Sequence, residues 1–404
     1  MRRLLILLCF SILLPFSASA AAKSAPLEVT GWIPYWRVAT GTADVLPHLS
    51  AFTSIMPFGY VVQNDGTLHD AFRLGSPSTL TSSTSLALLA AAKAAKVKII
   101  PTVMWSNGAA IHAILKNKAK RIALEDRIVE LVKSQGFDGI NIDFESKKAE
   151  TRNYFSLFLQ GLYSRMGNKF VYCAIEARTP VADRYDGTPP SDAMNYANDY
   201  AAINNYCDRV QLMTYDQETT DVTLNKQANG APYIPVADPQ WVSKVVALAA
   251  KTISKKKLEI GIATYGYEWS VTLLSQSGYR YDLKWAFNPR YALELAAGLA
   301  LTPQRNSAGE LSYTYRSAPL GSSTPTGDMA DAMGSNTFMN ATTTYSNGVA
   351  VAIAGSSYNI VWWSDAQAIA DKVALAKKLG VRGVALFKID GGEDQAMWDV
   401  LPKK

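Results

Sequence analysis

The chain is 404 residues long and 48% hydrophobic, enough to bury the core of one large barrel or two ordinary domains. Its 40 basic residues outnumber its 34 acidic ones, but no basic run is interleaved with aromatics, so nucleic acid is not expected as a partner. His48, His69 and His112 are scattered without ligand spacing, and no Gly-x-Ser-x-Gly elbow is present; neither a metal nor another cofactor is expected.

Met1-Arg2-Arg3, the apolar run from Leu4 to Phe16 and Ala18-Ser19-Ala20 read as the three parts of a secretory signal peptide, residues 1–20. The apolar run is shorter than the roughly 18 residues that a membrane span needs. Export is therefore expected, to the periplasm, the cell wall or the medium, with no stable membrane insertion once the leader is removed. Dropping Arg2 and Arg3 from the 40 basic residues leaves an excess of four over the 34 acidic ones. Residues 21–28 read as a flexible mature terminus. Beyond the leader, Cys173 reads as mid-strand and Cys207 as lying just before the next strand, and buried free thiols are expected.

From there strands and helices alternate. Val29 to Trp36 reads as strand one and Ser54 to Val62 as strand two, ending in an Asn64-Asp65-Gly66 turn. The Ala-rich helix Leu86 to Lys96 feeds strand three, Lys98 to Trp105. Apolar positions at Ile122, Leu124, Ile128, Leu131 and Val132 then mark a helix ending near Gln135. Gly136 to Glu145 supplies strand four, followed by a helix from Thr151 to Met166. Strand five is read at Lys169 to Ala177, strand six at Arg209 to Asp216 and strand seven within Leu258 to Trp269. A helix from Asp365 to Leu379 precedes strand eight, Arg382 to Ile389. This rhythm predicts α/β architecture, and eight such strands favour a closed (β/α)8 TIM barrel over residues 29–269 and 361–404. No GxGxxG turn follows strand one, which argues against dinucleotide binding. Residues 270–360 break the rhythm, being far more than a βα loop needs. They hold a helical piece, Pro289 to Ala300, a Tyr-rich strand, Leu311 to Tyr315, and a Gly/Ser/Thr/Pro-rich stretch, Gly321 to Gly327.

Strand four carries the unusual pattern. Ile140, Ile142 and Phe144 share one face; Gly139, Asn141, Asp143 and Glu145 share the other. A column of acids suits no ordinary sheet core, because buried carboxylates cost several kcal/mol unless paired. In a barrel the column points inward and ends at the C-terminal mouth, where such folds keep their active sites. Glu145 then projects into the cleft with Asp143 one layer below.

Asp138, Asp143 and Glu145 resemble the Asp-x-x-Asp-x-Asp-x-Glu signature of glycoside hydrolase family 18, the chitinase-like family, with Asn141 in place of its second Asp. In that family the substrate acetamide supplies the nucleophile. The resemblance implies that Glu145 is the acid and that Asp143 orients the acetamide, with Asp138 and Asn141 supporting the network. Gln211, Met213 and Tyr215 share one face of strand six, and Met213-Thr-Tyr-Asp216 matches the family's Met-x-Tyr-Asp segment. This implies that the Tyr215 hydroxyl bonds the acetamide oxygen and that Met213 packs beneath the sugar; Asp216 is either a cleft acid or a turn cap. Tyr35 and Trp36 fall in the segment whose aromatics reach the cleft. Tyr265-Gly-Tyr-Glu-Trp269 resembles the spore-cortex and peptidoglycan-directed branch, with Tyr265 and Trp269 expected to line the cleft and Tyr267 in either the cleft or the core. At strand eight Phe387 stands where the family usually places a Trp beneath the donor sugar. The family's small α+β insertion, between strand seven and its helix, is expected at residues 270–360. The implied function is a retaining hydrolase of N-acetylglucosamine polymers, peptidoglycan or chitin, acting as a monomer. A catalytically silent carbohydrate-binding barrel is the alternative, and the presence of Glu145 speaks against it.

Overall fold

The computed structural model describes residues 26–75, 83–274, 278–316 and 357–402. The expected leader and the Gly321 to Gly327 stretch lie outside these residues, as does most of the expected flexible terminus. Strand one, Glu28–Pro34, pairs in parallel with Ser54–Phe58 on one side and with strand eight, Gly383–Phe387, on the other. Strand two breaks at Gly59 and resumes as Tyr60–Val62; strand three is likewise split, into Lys98–Ile99 and Thr102–Trp105, around Pro101. A proline cannot donate to the ladder, which accounts for that interruption. The two halves of these strands still pair in order, and strands four to seven follow: Gly139–Phe144, Phe170–Glu176, Arg209–Met213 and Leu258–Ala263. Strand seven pairs with strand eight and closes the ring, so the barrel expected from the sequence forms.

Strand four alternates as its sequence requires. Its outward Phe144 stacks on Phe158, centroids 5.3 Å apart, in the helix Arg152–Met166. Gly139 has no room for a side chain, since an added Cβ would lie 2.3 Å from the Phe170 carbonyl oxygen. The preceding helix, Lys118–Gln135, is capped by the Asn117 side chain, which accepts from the Lys120 N–H. It ends at Gly136 with φ 68°, the left-handed turn that glycine adopts without penalty. Below the acids the barrel is filled by a polar layer in which Gln211 and Thr30 each donate to Glu259, both at 3.0 Å.

Cys173 and Cys207 form a disulfide, with Cα atoms 6.0 Å apart, instead of the expected free thiols. Cys173 points outward from strand five, between the inward-facing Tyr172 and Ala174. Cys207 ends the crossover helix Tyr200–Tyr206, which must return to the same side of the sheet to start strand six. Both sulfurs therefore meet in the layer between sheet and helices. The crossover, not the spacing of the two residues, brings them together.

A second, antiparallel sheet of five strands begins at Gly266. Gly266–Leu273 lies between Tyr279–Phe287 and Ser357–Trp363; the last of these also pairs with Leu311–Tyr315, which pairs in turn with Gln304–Arg305. With the helix Pro289–Gly298 it makes the α+β insertion. Tyr267 and Trp269, read from sequence at the end of strand seven, thus belong to this sheet. Glu310 fastens the insertion to the barrel. Its carboxylate accepts from Val236 N–H at 2.9 Å, Ala237 N–H at 3.0 Å, Trp362 Nε1 at 2.7 Å and Lys372 Nζ at 3.2 Å.

Candidate active site

The inward column of strand four ends in Asp143, which is 4% exposed, and half-buried Glu145 lies one residue beyond the strand. The Glu145 N–H donates to the Trp105 carbonyl at 2.8 Å, so strand three holds the acid in place. Burial pushes the Asp143 carboxyl well above the usual carboxylate range, and the Glu145 carboxylate beside it adds to this while Lys147 opposes it. Burial also raises Glu145, and the Glu176 charge is the next largest cause. The interaction between the two groups raises Asp143 and lowers Glu145, so one proton is shared within the pair. The pair can hold a proton where a glycosidic oxygen would need one.

Tyr215 and Asp216 follow strand six and reach the same place. Tyr215 is 7% exposed and stacks on Phe387, centroids 5.3 Å apart at 18°. Its hydroxyl is held protonated by burial, and the charges of Asp143, Asp216 and Glu145 all bear on it. Asp216 adopts φ 57°, an unusual backbone for a non-glycine residue and one that collects at functional sites. Its carboxylate accepts from the hydroxyls of Tyr265 and Tyr267, each at 2.6 Å. Glu145, Met213, Tyr215 and Asp216 share a cavity of about 490 Å³.

Phe387 has an edge contact with Trp32 at 5.8 Å and a tilted contact with Phe58 at 6.4 Å, which in turn meets Tyr35 at 6.5 Å and Trp36 at 5.9 Å. Tyr35 and Trp36 are each 37% exposed, so an aromatic shelf runs from the surface to the acids along strands one, two and eight. Two residues, Tyr265 and Trp269, depart from their expected places, while Asp138 keeps its place near the base of strand four. Asp138 stands at the foot of the barrel, where its carboxylate accepts from the Ile99 N–H at 2.8 Å, and it does not join the acids. Tyr265 is buried, and its hydroxyl donates to Asp216. Trp269 is 5% exposed within the core and does not line the cavity that holds Glu145.

Asn141 lies beneath Asp143, with Nδ2 donating to Thr102 Oγ1 at 3.1 Å; the same oxygen accepts from Trp32 Nε1 at 3.1 Å. Sequence reasoning missed Glu176, although its inward position at the end of strand five marks a mouth residue as clearly as Glu145's does. Glu176 accepts from Asn198 at 2.6 Å and pairs with buried Lys147 at 3.3 Å. Lys147 also donates to the Phe144 carbonyl. Among the described residues no group of three or more His, Cys, Asp or Glu is placed to hold a metal ion.

A parallel barrel with coupled carboxyl groups and an aromatic shelf at its C-terminal mouth is the architecture of a glycosidase. The sequence pattern of glycosyl hydrolases family 18 matches residues 32–392, and the chain belongs to that family. It is 24% identical over 290 residues to the uncharacterized glycosylase YvbX of Bacillus subtilis (strain 168), covering 72% of this chain and 68% of the relative. With the cortical fragment-lytic enzyme of the same organism it shares 23% identity over 279 residues, 68% of this chain but 52% of the relative, so it spans about half of that protein's length. The crystal structure of the spore cortex-lytic enzyme SleL from Bacillus megaterium QM B1551 superposes with a TM-score of 0.65 at 22% identity, covering 94% of this chain and 74% of the other. A chitinase from Chromobacterium violaceum ATCC 12472 superposes with a TM-score of 0.66 at 20% identity, covering 93% and 98%.

Proposed function

We propose that this glycosidase is exported and cleaves β-1,4 bonds after N-acetylglucosamine by substrate-assisted catalysis with retention, and that its polymer is peptidoglycan. The observation that carries the mechanism is the adjacent carboxyl groups of Asp143 and Glu145 at the strand-four mouth, with Glu145 sharing its cavity with Tyr215, which stacks on the Phe387 ring. The donor sugar rests on the aromatic floor with its acetamide folded beneath the ring. Its carbonyl oxygen attacks C1 while the bond from C1 to the leaving oxygen breaks, and Glu145 gives that oxygen its proton. Asp143 turns to the acetamide N–H and the Tyr215 hydroxyl donates to the attacking oxygen, so both act on charge that grows toward the transition state. Water then opens the oxazolinium at C1 as Glu145 takes back a proton.

Peptidoglycan is favoured over chitin by the Tyr265 to Trp269 segment, by Asn141, by the small basic excess and by the cortex-lytic names among the relatives. Because the acetamide must fold under the donor ring, a bulky group on O3 is excluded there and is accepted on the leaving side. Digestion of purified peptidoglycan, borohydride reduction of the new ends and identification of the sugar alcohol tests this, with chitin oligomers run in parallel. Glucosaminitol ends support the reading. Rapid cleavage of chitin oligomers with no wall digestion leaves a chitinase, the second reading, which the chitinase neighbours favour; muramitol ends would mean a wider donor pocket. N-terminal sequencing of exported protein, expected to begin near Ala21, tests the leader.

A further inference from the structure

Two arginines in the cleft form no ion pair among the described residues. Arg178 stands two residues beyond the end of strand five, and Arg184 ends the short helix Val181–Arg184. Both line the cavity that holds Glu145. Their Nη2 atoms donate to one and the same acceptor, the Ala193 carbonyl oxygen, at 2.6 and 2.9 Å. Two like charges are thus fixed side by side on a single backbone oxygen. Arg178 is also pinned over the Tyr196 ring, 3.9 Å from its centroid.

The acids nearby are already engaged. Asp183 pairs with Lys244 at 2.7 Å, Asp186 with Lys226 at 2.7 Å, and Glu176 with Lys147 at 3.3 Å. Among the described residues neither guanidinium forms an ion pair, and the buried Arg184 Nε–H has no acceptor. A guanidinium presents five donors in a planar fork that matches a carboxylate, so several are left to receive one.

Position in the ring says which sugar this corner meets. The aromatic shelf belongs to strands eight, one and two, and Tyr215 stacks against it, so the donor sugar sits on that side. Strand five lies across the barrel from strand one, and the acid of strand four stands between them. The arginines therefore face the sugar on the leaving side of the scissile bond.

We infer that Arg178 and Arg184 form an anion-binding corner that receives a carboxylate carried on O3 of the leaving-side sugar, and so select muramic-acid glycan over chitin. This rests on the peptidoglycan reading above. The carboxylate belongs either to the lactyl group itself or to the peptide attached to it. The arms of the test separate these sources: peptide-free glycan with free lactyl carboxylates, peptide-bearing glycan, peptide-free glycan whose carboxylates have been reduced to alcohols, and chitin oligomers.

The readout is kcat/KM on each glycan divided by that on chitin oligomers, for the native enzyme, Arg184→Gln, Arg178→Gln and the charge-keeping Arg184→Lys. A charge-assisted contact predicts a roughly 10- to 100-fold fall in this ratio for the Gln variants on the carboxylate-bearing glycan, with partial recovery in Arg184→Lys. For the native enzyme, carboxylate reduction alone should give a similar fall if the lactyl group is the ligand. A larger fall on peptide-bearing than on peptide-free glycan assigns the peptide instead. A native enzyme that cleaves these glycans, with variants that keep its ratio on every one of them, overturns the inference and leaves the peptidoglycan reading intact. A native enzyme that cleaves only chitin oligomers overturns both.

Discussion

Replacing Glu259 with Gln should stabilise the fold by an amount that grows with pH. Glu259 is fully enclosed in the barrel, where Gln211 and Thr30 donate to one of its oxygens at 3.0 Å. Burial is the chief cause that lifts its carboxyl from 4.5 to about 8; the Glu28 charge adds to this, and the contacts with Gln211, Arg209 and Thr30 oppose it. A carboxyl raised in this way keeps its proton longer in the folded state than in the unfolded one. Its favourable contribution is complete below about pH 4.5 and is lost as pH rises toward about 8. Each pH unit in that window removes about 1.4 kcal/mol, so at pH 7 the native protein has given up roughly 3 kcal/mol that the amide does not lose. Glu125, raised to about 7, and Glu393, raised to about 9, titrate in the same range, so the difference between variant and native protein is the informative quantity. Urea unfolding of both proteins at pH 5 and pH 7.5 measures it. A gap that stays constant, or that closes with rising pH, would mean that Glu259 is ionised inside the barrel and would refute the reasoning.

Glu145→Gln should keep the fold and oligosaccharide binding while lowering turnover by about 10² to 10⁴, measured with a fluorogenic N-acetylglucosamine oligomer; near-normal turnover moves the acid elsewhere. Since the acid works protonated and its pKa is raised, kcat/KM should hold through the mildly acidic range and fall as pH climbs through the Glu145 pKa. Asn141→Asp adds a titrating neighbour beneath Asp143 and should move the acidic limb of the same profile, whereas an unchanged limb would uncouple the two positions. Tyr215→Phe should lower kcat more than it raises KM, because its hydrogen bond strengthens as charge develops; an effect on KM alone makes Tyr215 a binding residue only. Replacing Cys173 and Cys207 together by Ser opens a loop with a sequence separation of 34 and should cost roughly 2–4 kcal/mol in denaturant unfolding.

The acid pair was legible in the sequence because a strand's period of two leaves no freedom. Once Ile140, Ile142 and Phe144 face the helices, Asn141 and Asp143 must face the barrel axis. Tyr215 was legible only through the Met-x-Tyr-Asp segment, because an inward stripe at Gln211, Met213 and Tyr215 fits plain barrel filling as well and strand six ends at Met213. The period gave no warning that strand seven stops at Ala263, because Tyr265 to Trp269 continues an apolar, β-prone run into another sheet. There Gly266 passes so close to Trp363 that an added Cβ would lie 2.2 Å from the Trp363 Cβ. Asp138 belongs to the same motif, but its place just before Gly139, the first residue of strand four, sets it a full strand length below the acids. Arg178 and Arg184 sit where loop conformation decides direction, and no periodicity constrains a loop.

The Glu310 junction makes the second sheet inseparable from the barrel it is fastened to. The N–H groups of Val236 and Ala237 donate to that carboxylate, and Lys372, wholly enclosed in the last long helix, has it as counter-charge. Removing Glu310 would leave the Lys372 ammonium in the interior without its partner, a change that costs on the order of 3–5 kcal/mol for a buried pair losing one member. The second sheet and the barrel interior are therefore one inherited unit. A descendant that loses Glu310 must first replace Lys372 beneath it.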